Sequence, residues 1–172
     1  PFCAGLCPAG FYCPAYATTE PIPCTPGHYC PEGASAPLPC KEGSYSTATN
    51  LTSAVECTPT EPGFYAPTSS TAQTPCSPGT FAPNASMGAC NVCPDGSFAN
   101  ETGTVTCKLC ASCGQNMWQA VTCNRVLGAV CQPCSNIQCG INQWQQGSCS
   151  GVNNGFSCTA CVEGEHCPGD NQ

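Results

Sequence analysis

Apolar residues are sparse along this chain and follow no helical rhythm. No window places them at i, i+3, i+4 and i+7, so the sequence predicts almost no helix. What recurs instead is a step of glycine, one variable residue and an aromatic. It stands at Gly10/Tyr12, Gly27/Tyr29, Gly43/Tyr45, Gly63/Tyr65, Gly79/Phe81 and Gly96/Phe98, at intervals of 17, 16, 20, 16 and 17 residues. A period of this length is the signature of an array of stacked units. Each step predicts a short two-stranded ribbon with its glycine in a turn of positive φ. The aromatic is expected to cover the adjacent disulfide and give each unit its own small core. The fold class is small and disulfide-rich: a linear array of short irregular β-ribbon modules with almost no helix.

The pattern changes after Cys107. Sixteen of the 18 prolines lie before Asp95, whereas eight of the nine glutamines and both tryptophans lie after Cys113. Cys113-Gly-Gln-Asn-Met-Trp-Gln-Ala-Val-Thr-Cys123 is repeated as Cys139-Gly-Ile-Asn-Gln-Trp-Gln-Gln-Gly-Ser-Cys149. Each copy runs on to a Cys-x-x-Cys pair, Cys131/Cys134 and Cys158/Cys161. Trp118 and Trp144 are expected to plug the local disulfides. The domains are therefore 1–107, glycine-x-aromatic repeats; 108–160, two duplicated tryptophan modules; and 161–172, the start of a further repeat. That last segment rewrites the opening unit Cys7–Pro14 as Cys161–Pro168, so the chain is expected to be a piece of something longer.

Composition explains how such a chain holds together. Leu, Ile, Val and Phe number 22 of 172 residues, too few for a central core. Cysteine numbers 21, a density that marks a disulfide scaffold. Each bridge contributes about 2–4 kcal/mol by restricting the unfolded chain. Bridges persist in oxidising places, so the expected location is extracellular or the cell surface. A zinc protein is disfavoured by two histidines and no paired Cys-x2-Cys tetrads. Three basic residues, Lys41, Lys108 and Arg125, stand against ten acidic ones, a net charge of −7. That leaves no basic footprint for nucleic acid or for an anionic membrane surface. No apolar run is long enough to span a membrane, so no direct membrane insertion is expected of this segment.

Three sequons, at Asn50, Asn84 and Asn100, lie seven, five and four residues past their repeat glycines. They predict N-linked glycans on one recurring loop. Thr58-Pro-Thr-Glu-Pro and Ala66-Pro-Thr-Ser-Ser-Thr add candidate O-glycan sites. No catalytic set is visible. His28 and His166 sit inside the repeated step and read as structural. Glu163, Glu165 and Asp170 lack the spacing of a calcium loop and read as solvated charge. No cofactor or metal is expected, and no enzyme.

Cysteine connectivity cannot be deduced from sequence alone. Spacing favours Cys40–Cys57, Cys76–Cys90 and Cys93–Cys107, each enclosing one unit. The first hundred residues resemble the ephrin-receptor-like cysteine-rich repeat, whose Cys-Pro-x-Gly-x-Tyr mark appears at Cys7 and, with variations, at Cys24, Cys76 and Cys93. Residues 93–131 resemble the cysteine-rich repeat of the tumour necrosis factor receptor family, with Phe98 as its aromatic and Cys107, Cys110 and Cys113 as its Cys-x2-Cys-x2-Cys. Gly128 departs from that pattern, which has a polar residue before the last cysteine. The resemblance implies Cys93–Cys107, Cys110–Cys123 and Cys113–Cys131. Carried through the duplication, it implies Cys134–Cys149 and Cys139–Cys158. At the N-terminal end the choice is Cys7–Cys24 and Cys13–Cys30, which leaves Cys3, Cys161 and Cys167 to bond chain beyond the ends.

The expected function is structural: an extracellular, glycosylated, disulfide-stapled rod that assembles with copies of itself or related cysteine-rich chains into a surface fibre, appendage or matrix. In repeat type and glycan richness the chain is similar to the flagellar-hair (mastigoneme) proteins of protists. The alternative is a receptor ectodomain that binds a protein ligand through residues 93–160.

Overall fold

A computed structural model describes residues 6–14, 20–135 and 139–162. The described residues form a series of eight antiparallel hairpins, each a separate two-stranded sheet. In chain order the strands are β1 (Phe11–Tyr12) with β2 (Ile22–Pro23), β3 (His28–Tyr29) with β4 (Leu38–Pro39), and β5 (Ser44–Tyr45) with β6 (Thr58–Pro59). There follow β7 (Phe64–Tyr65) with β8 (Thr74–Pro75), β9 (Thr80–Phe81) with β10 (Asn91–Val92), and β11 (Ser97–Phe98) with β12 (Lys108–Leu109). The last two hairpins are longer: β13 (Met117–Val121) with β14 (Val130–Pro133), and β15 (Gln143–Ser150) with β16 (Asn153–Ala160). The sole helical element among the described residues is one 3-10 turn, Ala54–Glu56.

Each hairpin begins at a turn closed three residues before its aromatic-bearing strand. Phe11 donates to the Pro8 carbonyl, His28 to Thr25, Ser44 to Lys41, Phe64 to Glu61, Thr80 to Ser77 and Ser97 to Pro94. The repeat glycine sits inside that turn at positive φ, as at Gly43 (φ 80°). This geometry decides the disulfides. The cysteine three residues before the glycine and the residue three after it are brought side by side. Where that second residue is cysteine, the bridge is local: Cys7–Cys13 and Cys24–Cys30, with Cα atoms 5.9 Å apart. The inter-unit pairs Cys7–Cys24 and Cys13–Cys30 do not form. The turn had already delivered each cysteine to its nearer neighbour.

Where the residue three after the glycine is instead small and buried (Ser46, Ala82, Ala99), the first cysteine bonds the cysteine that closes the unit. The bridges are then Cys40–Cys57, Cys76–Cys90 and Cys93–Cys107. The tryptophan hairpins carry Cys110–Cys123, Cys113–Cys131, Cys134–Cys149 and Cys139–Cys158. Cys161 is disulfide-bonded as well. Cys3 and Cys167 lie outside the described residues.

One unit has no bridge. Between Cys57 and Cys76 the two facing positions are Thr60 and Ala66, both buried. Here Thr60 adds a hydrogen bond that a cysteine would not make: its hydroxyl accepts from the Met87 amide at 3.0 Å.

The core is not confined within units. Cys40, Leu51 and Cys57 form a buried cluster, and the ring packed on it is Tyr29, from the preceding unit. Each aromatic therefore need not serve its own bridge, as the sequence had suggested; here it plugs the next one. Among the described residues Leu51 is the one large aliphatic side chain that is buried. Half-cystines and alanines fill the places that leucines and valines hold in ordinary cores, consistent with a chain poor in both.

Candidate functional site

What joins the units is a three-point main-chain clasp that recurs down the array. The glycine amide of one unit donates to a carbonyl of the next, three residues past that unit's glycine. The series is Gly10 to Cys30, Gly27 to Ser46, Gly43 to Ala66, Gly63 to Ala82 and Gly79 to Ala99, at 2.7–2.9 Å. The amide three residues after the glycine donates onward in turn, from Cys30 to Leu51 and from Ala66 to Met87. A return bond comes back from the next unit's loop. Asn50 donates to the Cys24 carbonyl, Ser69 to Cys40, Ser86 to Thr60 and Gly103 to Cys76.

The donors of these return bonds share one conformation. Asn50, Ser69, Ser86 and Gly103 all have φ between 61° and 70°. This left-handed twist turns each carbonyl onto the glycine two units earlier. A Cβ added to Gly43 would stand 2.1 Å from the Ser86 carbonyl oxygen, and the same crowding recurs at Gly10, Gly27 and Gly63. Those glycines are thus required twice, once by φ and once by contact. The clasp joins nearest neighbours, and the glycine contact joins every second unit.

The close stacking ends at Gly96. Its φ is 80°, yet nothing lies within 4 Å of where its Cβ would be. From there the same turn position is held by Asn116 (φ 57°) and Asn142 (φ 62°). Their carbonyls accept from Cys134 and Cys161 as the Gly96 carbonyl accepts from Cys110, which fixes the equivalence. Once no backbone presses on the turn, asparagine serves, since it tolerates positive φ and needs only room for a side chain. The sequence repeat therefore continues unbroken through the tryptophan modules. The equivalence of Gly and Asn was the signal that reading by identical residues missed.

At this junction lies an open cleft of about 580 Å³ between Asp95–Ser97 and Cys123–Val126, with Cys110 in its wall. The Arg125 guanidinium meets the Asp95 carboxylate at 2.9 Å across it, and both side chains are largely exposed. Asn124 holds the loop, its side-chain oxygen accepting from the Val126 and Leu127 amides. Gly128, the departure from the receptor-type pattern, lies against the Phe98 ring. A Cβ there would be 2.6 Å from the tip of that ring, so any side chain requires the ring to shift. Trp118 and Trp144 are half-buried, on β13 and β15.

Asn50, Asn84 and Asn100 are all exposed in the loops that carry the return bonds. They are not equivalent within them. Asn50 is itself the left-handed residue, whereas Asn84 and Asn100 precede Ser86 and Gly103 by two and three positions. Thr58 is exposed, but Thr60 is buried with its hydroxyl engaged, which removes it from the candidate O-glycan acceptors. His28 Nδ1 lies 3.1 Å from the Pro26 carbonyl oxygen, a local contact within its turn. His166, Glu163, Glu165 and Asp170 lie outside the described residues.

Glu56 holds the 3-10 turn: its carboxylate accepts from the amides and hydroxyls of Thr52 and Ser53. The Thr52 hydroxyl, foremost among these donors, holds its pKa below the ordinary value near 4.5. No helix among the described residues is long and apolar enough to cross a membrane.

No protein family matches the chain by sequence, and no curated protein matches it closely enough to count as a relative. The ground for function is therefore this geometry: a disulfide-rich series of paired β-strand modules, interlocked through main chain.

Proposed function

We propose that the chain is part of an extracellular structural glycoprotein, a disulfide-stapled rod that assembles into a surface fibre, appendage or matrix. The observation that carries this reading is the repeated clasp. A unit that bonds to its first neighbour and touches its second resists bending more than beads joined by single linkers. Stacked units of this kind also extend without limit and present the same face at each step. Twenty-one cysteines suit an oxidising exterior. Glycans at Asn50, Asn84 and Asn100 would keep a rod with few charges in solution. The partners are further copies or related cysteine-rich chains, and the role is not catalytic.

Negative-stain microscopy of the glycosylated, secreted chain tests this. Regular filaments or laterally associated rods are expected. Monodisperse particles that instead capture a soluble protein would overturn it.

The second reading is a receptor ectodomain. The cleft beside Asp95 and Arg125 supports it, as do the bridges Cys93–Cys107, Cys110–Cys123 and Cys113–Cys131, which match those of the receptor-type repeat. A ligand bound there would be lost in Arg125→Ala, with the disulfide map intact.

A further inference from the structure

Eight of the sixteen strands among the described residues carry a guard against pairing with another chain. The return strands β2, β4, β6 and β8 each end in proline, at Pro23, Pro39, Pro59 and Pro75. The position is telling. Cys24 donates inward to Gly10, so the residue before it would turn its amide outward, and proline has none to offer. β12 carries Lys108. In the longer hairpins, β13 has a bulge between Gln119 and Val121, β14 ends in Pro133, and β15 is interrupted by Gly147 at φ 115°. These are the usual devices by which an edge is blunted.

β16 has none of them. Asn153–Ala160 contains no proline, no charge, no bulge and no residue of positive φ. Its eight residues extend for about 27 Å. Ser150 pairs with Asn153 across the two-residue turn Gly151-Val152, so that pair is hydrogen-bonded and the pattern alternates from there. Asn154, Phe156, Cys158 and Ala160 then point their main-chain N–H and C=O groups away from β15. Among the described residues no strand pairs with that edge.

Charge indicates what would pair there. From Val126 to Val162 there is no Asp, Glu, Lys, Arg or His. All three basic and ten acidic residues lie elsewhere, for a net charge of −7. Two copies repel over the rest of their length but not along this stretch. An antiparallel pair about a two-fold axis at Ser157 would match residues in reverse order, setting Ser157 against its own copy, Phe156 against Cys158 and Asn154 against Ala160. Such pairing is penalised where the residues are charged and tolerated where they are Asn, Ser and Thr.

We propose that the outer edge of β16 pairs antiparallel with β16 of a second copy, merging two ribbons into one four-stranded sheet. The inference rests on the fibre reading only in making this contact a lateral link of the fibre.

Sedimentation of the glycosylated chain over a range of concentrations tests it. Wild type dimerises. Ser157→Lys, which faces two ammonium groups across the new pair, raises the dimer dissociation constant roughly tenfold or more. Ala160→Pro, which deletes an outward amide, does likewise. Ser148→Lys, equally exposed but on β15, leaves it unchanged. A non-reduced peptide map identical to wild type shows that each variant is folded. A chain monomeric up to about 100 μM, or a dimer indifferent to both β16 variants, overturns the proposal. The two readings separate cleanly. Filaments formed as well by Ser157→Lys sink the β16 pairing and leave the fibre. Dimers that never grow into filaments sink the fibre and leave β16.

Discussion

Replacing Gly43 by alanine tests the interlock most directly. Two costs are expected. The first is conformational: an L residue at φ 80° costs about 1–2 kcal/mol relative to glycine. The second is contact. The new Cβ would stand 2.1 Å from the Ser86 carbonyl oxygen, whereas carbon and oxygen rest at roughly 3.3 Å. The Ser86 loop must move by about 1 Å, and three bonds anchor it to the neighbouring unit. These run from Ser86 to the Thr60 carbonyl, from Met87 to the Thr60 hydroxyl, and from Ala66 to the Met87 carbonyl, at 3.0–3.1 Å. At about 1 kcal/mol each, losing two or three brings the total to roughly 3–5 kcal/mol.

Gly96→Ala is the control, with the same φ and nothing in the way, so it should cost only the first 1–2 kcal/mol. Asparagine sharpens the contrast. Gly96→Asn should be nearly neutral, as Asn116 and Asn142 show by their presence, while Gly43→Asn should be as damaging as alanine. Denaturant unfolding with bridges intact measures the totals, and amide exchange at Ser86 and Met87 shows whether the loop has let go. Equal costs at Gly43 and Gly96 would falsify the interlock and reduce both glycines to turn formers.

Other outcomes follow from the same geometry. Thr60→Cys with Ala66→Cys should create a bridge like Cys24–Cys30 in the one unit that lacks it, adding about 2 kcal/mol less the lost Thr60–Met87 bond; free thiols in the secreted double variant would show the facing geometry to be wrong. Asn50→Gln should destabilise by about 1 kcal/mol beyond any loss of glycan, because Asn50 alone of the three sequons is left-handed. Asn50→Gly should remove the glycan without that cost, and thermal melts of deglycosylated protein compare them. Glu56 has a lowered pKa in the folded chain, so its contribution is present above about pH 4.5 and fades as pH falls through the lower folded value. Amide shifts of Thr52 and Ser53 should report that titration, and Glu56→Gln should abolish it.

Much of this architecture could be read along the chain. The glycine-x-aromatic step gave the period, and cysteine density with a shortage of aliphatics implied covalent stapling. These are local matters. A turn needs its glycine, and a chain with so little to bury needs bridges. Spacing placed Cys40–Cys57 and its successors because a closing cysteine ended each unit. The same logic failed at Cys7 and Cys24. A second cysteine three residues past the glycine changes the nearest partner, and nearness there is a property of the folded turn.

What only the tertiary structure decided is how the units meet. Tyr29 fills its neighbour's core, the Ser86 carbonyl sits on a glycine two units earlier, and Asn116 inherits the place of Gly96. None of these relations joins residues close in sequence, and on the partner side, at Leu51 and Ser86, no repeated letter marks the contact. The chain by itself determined that there would be stapled turns in series. Their stacking was settled by which main-chain groups still lacked partners after each turn had closed, and that is known only when all the turns are in place.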